Sequence, residues 1–438
     1  MAQRSMHILF LTDNFPPEVN APASRTFEHC RQWVEAGHKV TVITCAPNFP
    51  KGEVFQGYRN AWRSRETIDG IDVIRVWTYI SANEGFLKRT LDYASFMLSS
   101  IPAAIGVRNV DVIVGTSPQL FTALAACVTG FIKRRPYVFE LRDLWPESIR
   151  AVGAMKSSRV LDMLEWLELF LYRRAAHIVS VTRAFQKNLI SRGIPAGKIS
   201  VTTNGADLER FTPIPRDAQL AGQLGLTDKV VVAYVGTHGM AHALETVLDV
   251  ASLLKDDERV RDLRFVFLGD GAEKARLKAV ADERGLDNVL FLDSVPRSEV
   301  TRYWSLVDIA VIHLRGTPLF ETVIPSKLFE CMAMGLPVLH GVPGESAEIV
   351  ESEGIGLVFE PENAAAMSAG ILRLVTEPDL RARFAANGPV AATKYSRRAL
   401  AGQMLSVIER VAAGQAVEIV RSGDAEYPAR TSNRMGAE

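Results

Sequence analysis

The segment 324–330 (Ile-Pro-Ser-Lys-Leu-Phe-Glu) carries the strongest pattern for ligand chemistry in this chain. Pro325 marks the start of a helix, and Gly335 marks its end about two turns later. Free backbone amides at a helix start attract anions, so this one is expected to hold a diphosphate. The residues that would supply these amides are Ser326, Lys327 and Leu328.

Glu330 lies one turn inside the same helix, on a stretch that is otherwise apolar. A buried carboxylate without a partner is unfavourable by several kcal/mol. We therefore expect Glu330 to accept hydrogen bonds from ligand hydroxyl groups, such as those of a ribose. The alternative is a carboxylate that stays buried at that energetic cost.

Two glycine-rich turns follow strand-like runs in the same half of the chain, at 234–239 (YVGTHG) and 267–271 (FLGDG). Glycine lets the backbone approach a ligand closely, and the helix after each turn offers amides to an anion. The alternative for each is a tight turn with only a structural role. The candidate binding residues are Gly236, Thr237, His238, Gly239 and His242 at the first turn, and Gly269, Asp270, Gly271 and Lys274 at the second.

Polar residues also follow two strand-like runs in the first half of the chain. The stretch 140–147 (ELRDLWPE) offers a cation in Arg142, a proton acceptor in Asp143 and a stacking ring in Trp145, a set able to face a sugar. A structural Arg–Asp pair with a packed tryptophan is the alternative. The first run ends in the loop 12–18 (TDNFPPE), where further groups can bind hydroxyls: Asp13, with Asn20 and Arg25 beyond the loop.

These candidates lie where strands end in an alternating strand–helix pattern, which predicts an α/β fold with parallel sheets. In such sheets ligands bind beyond the carboxyl ends of the strands. Two sets of units predict two Rossmann-like domains that face each other across a cleft. The predicted strands are 7–12, 40–44, 72–76, 110–116, 137–141, 178–182 and 199–203, then 230–235, 263–268, 289–292, 309–313 and 337–340.

The domain boundaries follow from the linker at Pro213 to Pro215. Residues 1–212 are predicted to form the first domain and 213–395 the second. A helix at 396–412 follows the second domain in the chain and is expected to pack back on the first. Residues 415–438 are polar without a period and are expected to be a mobile tail.

Composition narrows the class of protein. The 438 residues contain 50 Lys plus Arg and 50 Asp plus Glu, so no basic excess points to nucleic acid. The four cysteines form no CxxC pair, which argues against a disulfide framework or a metal site and favours a reducing cytoplasm.

Two apolar stretches bear on membranes. The uncharged run 112–132 is expected to be a buried strand, a turn at Ser117 and Pro118, and a soluble helix. The run 86–107 has two open interpretations: a surface that lies on a membrane, or an ordinary helix pair broken at Pro102.

Taken together, the motifs resemble the glycosyltransferases of family 4, which have the two-domain GT-B fold. The likeness extends to about residue 412. Three segments, 141–147, 236–242 and 325–330, are similar to a bacterial surface-polysaccharide branch that includes the L-fucosamine (N-acetylfucosamine) transferases of O-antigen and capsule synthesis. The landmarks are FPPE at 15–18, NGAD at 204–207, Phe211, Gly236, GDG at 269–271 and FECMAMG at 329–335.

This resemblance implies a retaining transfer, without metal or other cofactor, from a nucleotide diphosphate sugar, here expected to be a UDP-sugar. It implies a donor site on the second domain near Val295, with the ribose on Glu330, and an acceptor side with Asp143 on the first domain. The acceptor is expected on a polyprenyl diphosphate at the inner face of the membrane. The alternatives are an epimerase of the same fold and a non-catalytic partner that binds a nucleotide sugar.

The chain departs from the family pattern at three places. Thr322 occupies the position of the first of two family glutamates, with Glu321 one place away. Asn20 and Ala21 fall near the usual glycine pair of the first-domain loop. The family's arginine and lysine after the first strand of the second domain are here Thr237 and His242.

Overall fold

The computed structural model describes residues 5–18, 20–49, 51–81, 86–144, 159–296 and 298–417. Its strands are β1 (His7–Leu11), β2 (Lys39–Cys45), β3 (Arg63–Ile68), β4 (Ile71–Val76), β5 (Val112–Thr116), β6 (Tyr137–Leu141), β7 (His177–Ser180), β8 (Ile199–Val201), β9 (Val230–Val235), β10 (Leu263–Leu268), β11 (Val289–Leu292), β12 (Ile309–His313), β13 (Val338–Gly341) and β14 (Gly356–Val358). Its helices are α1 (Ala21–Glu35), α2 (Phe86–Ile105), α3 (Leu120–Lys133), α4 (Arg159–Arg174), α5 (Arg183–Ser191), α6 (Ala218–Gln223), α7 (Glu245–Leu253), α8 (Lys274–Glu283), α9 (Val300–Trp304), α10 (Lys327–Ala333), α11 (Glu345–Glu353), α12 (Ala364–Thr376), α13 (Pro378–Ala392) and α14 (Arg397–Ala412).

The strands form two separate sheets. The first has the order β3-β4-β2-β1-β5-β6-β7-β8, parallel except for the edge strand β3, and the second has the order β11-β10-β9-β12-β13-β14, parallel throughout. Strands β1 and β5 are fully buried, as expected for parallel strands covered on both faces. The predicted α/β fold with two Rossmann-like domains is confirmed.

In each sheet the strand order reverses beside the first strand, between β1 and β5 and between β9 and β12. A crevice forms at the carboxyl ends of the strands at such a reversal, and ligands bind there. The loops after β1 and β9 are those that the sequence singles out.

The last helix, α14, packs against the first domain although the second precedes it in the chain. The Trp33 indole N–H donates to the Ala401 carbonyl at 2.9 Å. Met404 and Ile408 are fully buried in the same apolar cluster as Phe10.

The chain therefore crosses between the domains twice, and the two crossings are bound together. The Ala206 amide donates to Tyr395 O, and the Arg397 amide donates to Ala206 O, each at 3.0 Å. A Cβ at Gly205 would lie 2.1 Å from Tyr395 O, so only glycine permits this approach. In addition, Nη1 of Arg397 contacts both oxygens of the Glu28 carboxylate, each at 2.7 Å.

Two expectations about apolar stretches can now be judged. The segment 112–132 forms β5 and α3, as predicted, but the helix begins at Leu120 with Gln119 as its cap. The Ser117 hydroxyl instead accepts the amides of Arg142 and Asp143, at 2.8 and 3.3 Å. Ser117 therefore shapes the loop after β6.

The segment 86–107 is not a pair broken at Pro102, because α2 continues through that proline. Leu91, Leu98 and Ile105 are exposed on it at seven-residue spacing, which places them on one face. Within the described part of the chain, no helix combines the length and apolar character needed to cross a membrane. The tail predicted at 415–438 lies outside the described residues from 418 onward.

Candidate active site

The two glycine turns of the second domain interlock into one unit. A Cβ at Gly269 would lie 1.9 Å from the Gly236 carbonyl oxygen, and one at Gly271 would lie 2.4 Å from His238 O. Both glycines also have positive φ, +147° and +157°. The His238 amide donates to Asp270 O at 2.8 Å. The backbone therefore requires glycine at both positions, and the turns present one continuous edge of backbone.

Lys274 supports this unit from behind. Its buried ammonium donates to Gly269 O at 2.7 Å, to Leu292 O at 2.9 Å and to the Asp293 carboxylate at 2.6 Å. These acceptors use all three donors of the ammonium. Lys274, predicted as a donor-binding residue, thus uses its side chain to hold the second turn in place.

His238 is also buried, with no exposed surface and with both ring nitrogens unpartnered among the described residues. Its ring packs near Tyr234, Phe267 and Phe291. Burial lowers the pKa of His238 to about 4, and the Lys274 charge acts in the same direction. The ring is neutral near pH 7 and enclosed, so the expected contact with phosphate is corrected.

The exposed edge of the first turn is formed by Thr237, Gly239 and His242. Burial lowers the pKa of His242, whose carbonyl oxygen lies 2.9 Å from His313 Nδ1. The amide of Arg315 donates to Ala241 O at 2.9 Å, which places this exposed arginine beside the same turn. The motif analysis did not single out Arg315, although its position two residues after β12 is a signal that could have found it.

Helix α10 follows β12, the strand that pairs with β9 in the second sheet. Ser326 precedes its first residue and makes no side-chain cap, so its hydroxyl does not occupy the first amides. Glu330 is 8% exposed and accepts a hydrogen bond from the Lys327 ammonium at 2.8 Å. The carboxylate thus has a cationic partner one turn earlier on its own helix. Val295 is half-buried against the apolar cluster that contains Leu328.

In the first domain Arg25 is buried and fully engaged. Its guanidinium donates to Glu140 at 3.0 Å, to the carbonyls of Thr203 and Thr202 at 2.8 and 3.1 Å, and to Asn204 Oδ1 at 3.1 Å. The expected acceptor contact of Arg25 is therefore corrected to a structural role, which joins α1, β6 and the segment after β8.

Arg142 and Glu140 share this network. Burial alone would raise the pKa of Glu140, but the Arg25 and Arg142 charges outweigh it and hold the pKa below its usual value. Burial lowers the pKa of Arg142 to about 10, so it remains a cation near pH 7. Its guanidinium donates to Pro22 O at 3.2 Å and to Ala21 O at 3.4 Å. Arg142 therefore fixes the start of α1, and its neighbour Asp143 is half-buried at the end of β6.

Asp13 and Asn20 line one cavity in the first domain. Asn20 caps α1 by accepting the Ala23 amide at 2.8 Å, and its amide group donates to Asn14 at 2.6 Å. Burial raises the pKa of Asp13. Trp145, the remaining predicted acceptor residue, lies outside the described residues.

The two domains meet at the predicted sites. Ala21 and Arg25 of the first domain and Ser326 of the second line one small space between them. The start of α10 therefore faces the start of α1 across the cleft. Of the predicted second-domain residues, Ser326 lines this space, whereas Lys274 supports the second turn.

Two family matches cover most of the chain. The description Glycosyl transferases group 1 matches residues 217–390, and Glycosyl transferase 4-like domain matches residues 20–205. The chain is a glycosyltransferase. The range 20–205 contains the strands of the first sheet except β1, and the range 217–390 contains all the strands of the second sheet.

Known proteins resemble this glycosyltransferase at modest identity. WcaI of Escherichia coli, described as a colanic acid biosynthesis glycosyl transferase, is 28% identical over 85% of this chain and 93% of its own length. Sucrose-phosphate synthase from Thermosynechococcus elongatus has a TM-score of 0.72 at 17% identity, covering 94% of this chain and all of that one. Anabaena HepE, in complex with UDP and glucose, has a TM-score of 0.68 at 19% identity, covering 92% and 99%. The structural likenesses establish the GT-B fold.

The glycosyltransferase also shows what replaces the first family glutamate. The Thr322 hydroxyl donates to Leu319 O at 2.6 Å, which closes the short turn that contains it. A Cβ at Gly344 would lie 2.1 Å from Glu321 O, so this turn rests on the start of α11. Glu321 itself has an exposed side chain at the surface of this turn.

Proposed function

We propose that this glycosyltransferase moves a sugar from a UDP-sugar to a lipid-linked saccharide in the synthesis of a bacterial surface polysaccharide. The sugar we propose is an N-acetylated deoxyhexosamine such as N-acetyl-L-fucosamine. The observation that carries the proposal is the position of the start of α10, where Ser326 lines the interdomain space together with Ala21 and Arg25 of the first domain. The naming of WcaI for colanic acid synthesis supports the polysaccharide, and the complex of HepE with UDP and glucose supports the nucleotide.

On the donor side, the nucleoside packs near Val295 and the ribose hydroxyls reach Glu330. The diphosphate lies on the amide of Gly239 and on those of residues 326–328. Lys327 supplies positive charge, and we add Arg315 in place of Lys274 and His238. Because charge grows on the diphosphate as the sugar bond breaks, fixed amides and cations favour the transition state over the ground state.

On the acceptor side, Asp143 orients the attacking hydroxyl or takes up its proton. Transfer with retention of configuration follows if the leaving phosphate removes that proton on the same face of the sugar. No protein nucleophile and no metal are required by this route. The Arg142 contacts with the start of α1 hold the loop that carries Asp143 against the cleft.

A lipid-linked acceptor requires contact with a membrane, and the first domain has a suitable surface. The exposed residues Phe131 and Ile132 at the end of α3 border a groove of about 520 Å³. Within the described residues, the arginines of this groove form no ion pair, so they are available to anionic headgroups: Arg134, Arg135 and Arg174. Sedimentation with phosphatidylglycerol vesicles, compared with neutral vesicles and with R134E/R135E, tests this contact.

The donor proposal is tested by thermal stability with UDP, GDP and ADP, each with and without magnesium. A ligand at 100 times its Kd stabilises the fold by about 2.7 kcal/mol. We expect a shift with UDP that magnesium does not change, and its loss in Glu330→Ala and in Glu330→Gln but not in the exposed control Glu283→Ala. A shift with GDP or ADP alone would overturn the choice of nucleotide, and no shift at all would overturn the donor site.

A further inference from the structure

The first domain contains a cavity of about 220 Å³ at the carboxyl ends of β1 and β2, closed on one side by the first half of α2. Three carboxylates from two segments line it: Asp13 and Glu18 in the loop after β1, and Asp92 on α2. The volume is about seven times the roughly 30 Å³ that one water molecule occupies in the liquid, enough for a single sugar ring. Pro22 lines this cavity and its neighbour Ala21 lines the interdomain space, so the cavity adjoins the cleft.

Glu18 has an unsatisfied oxygen in this cavity wall. The residue is 4% exposed, and its Oε1 accepts the amides of Asn48 and Phe49 at 2.8 and 2.9 Å. Its Oε2 is buried without a hydrogen-bond partner among the described residues, as is Oγ of Ser81 in the same wall. A buried carboxylate oxygen left in this way is unfavourable, and a ligand hydroxyl or ammonium would satisfy it.

The cavity has an excess of negative charge. Among the described lining residues the only basic side chain is Arg89, which donates to the Tyr93 hydroxyl at 3.1 Å. Burial raises the pKa of Glu18 and of Asp92, and the nearby Asp13 carboxylate raises both further. The Arg75 charge opposes this shift at Glu18 and the Arg89 charge opposes it at Asp92, but the pKa of each carboxylate stays raised. A positively charged ligand group would relieve the repulsion between the carboxylates.

The rest of the lining is suited to a polyhydroxylated ring. Amide side chains that can pair with hydroxyls in either direction surround the carboxylates, and the rings of Phe49 and Tyr93 offer apolar faces. The amide-bearing residues are Asn14, Asn20, Asn48 and Gln119.

We propose that this cavity binds a sugar ring of the acceptor through its hydroxyl groups, favours a ring that carries a free ammonium, and rejects one that carries a carboxylate. The assignment to the acceptor rests on the proposed function. The selectivity rests on the three carboxylates alone. An ammonium donates charge-assisted hydrogen bonds to Glu18 Oε2 and its neighbours, whereas a uronate adds a fourth like charge.

The test uses the full chain with saturating UDP and measures binding of free monosaccharides by saturation-transfer NMR at neutral pH. The probes are glucosamine, glucose and glucuronate. We expect affinity to fall in that order, with about tenfold between the first and the last, a difference of about 1.4 kcal/mol. Glucuronate binding as well as glucosamine would overturn the proposal.

The variants Glu18→Gln and Asp92→Asn should each reduce the preference for glucosamine over glucuronate, while Glu258→Gln, exposed in the second domain, should leave it unchanged. Glu18→Gln keeps the oxygen that accepts the Asn48 and Phe49 amides, and Asp92→Asn makes the same prediction from another element. An unaltered preference in both folded variants would place monosaccharide binding elsewhere. If UDP still raises the thermal stability in that case, the proposal for the cavity fails and the proposal for the donor site stands.

Discussion

The Glu345 carboxylate of the second domain accepts the backbone amide of Arg183 in the first domain at 2.7 Å. It also accepts the next amide, that of Ala184, at 3.3 Å. These are the first two amides of α5, and the Thr182 hydroxyl accepts the third, that of Phe185, at 3.0 Å. One domain therefore completes the helix cap of the other.

Replacing Glu345 with alanine should loosen the contact between the domains. The loss of a helix cap destabilises by about 0.5–2 kcal/mol, and here that energy favours the closed arrangement. We expect a larger radius of gyration by small-angle X-ray scattering and little change in helix content. Glu348→Ala, on the exposed face of the same helix, is the control, and an equal change in both variants would contradict this role for Glu345.

Lys274→Met should destabilise the second domain, because it removes the donor of the Gly269 carbonyl oxygen, whereas the Leu292 oxygen keeps the Gly269 amide at 3.2 Å. An unsatisfied group of this kind typically destabilises by about 1–3 kcal/mol, so we expect a lower Tm together with weaker UDP binding. Lys278→Met, exposed one turn later, serves as control. If Lys274 instead contacted the diphosphate, UDP binding would fall at an unchanged Tm.

The buried pair of Arg25 and Glu140 should be more sensitive to removal of one partner than of both. Arg25→Met leaves the Glu140 carboxylate without this buried partner, and Glu140→Gln does the same to the Arg25 guanidinium. Removing one partner of a comparable buried pair lowers the free energy of unfolding by about 3–5 kcal/mol. Urea unfolding of the two single variants and the double variant measures the coupling. Arg31→Met on the same helix should change stability by about 1 kcal/mol or less, because its partner Glu35 is a surface residue.

The contribution of Asp92 to stability should fall as the pH rises from about 4 to about 6. Burial raises the pKa of Asp92 from 3.8 to about 6, with Asp13 acting in the same direction and Thr78 and Arg89 opposing it. In that range Asp92 is more protonated in the folded chain than in the unfolded chain, so its deprotonation destabilises the fold. Asp92→Asn should flatten this dependence and raise the Tm at pH 7, whereas Asp282→Asn, at an exposed position, should do neither. An identical dependence of stability on pH in Asp92→Asn and the parent would disprove this role of Asp92.

The sequence predicted the central strands well but missed two of the edge strands. Strands β6, β9, β10 and β12 have the predicted bounds, because parallel strands covered on both faces are continuous apolar runs. The half-buried edge strand β11 also has the predicted bounds. The edge strands β3 and β14 were missed. Strand β3 reads Arg-Ser-Arg-Glu-Thr-Ile and is largely exposed, a charged pattern that protects a sheet edge from pairing and resembles a loop.

The candidate site residues were likewise easier to predict where they depend on local sequence. The glycine turns and the start of α10 could be found from local spacing, since each lies within one strand–helix unit. The role of Lys274 could not, because two of its acceptors, Leu292 and Asp293, belong to the end of another strand. Glu18 and Asp92 are 74 positions apart in the sequence. Their shared cavity depends on how α2 packs over the carboxyl ends of β1 and β2.

The packing of α14 on the first domain affects the order in which the two domains can fold during synthesis on the ribosome. Trp33 and its partner Ala401 are separated by 368 residues. At about 5–20 residues per second, the ribosome adds Ala401 roughly 20–70 s after Trp33. The second domain, whose strands all lie between residues 230 and 358, is fully translated first. The second domain can therefore fold before the first one is complete. Until α14 has been made, the nascent first domain exposes the apolar groove that α14 covers, and chaperones can recognise that groove.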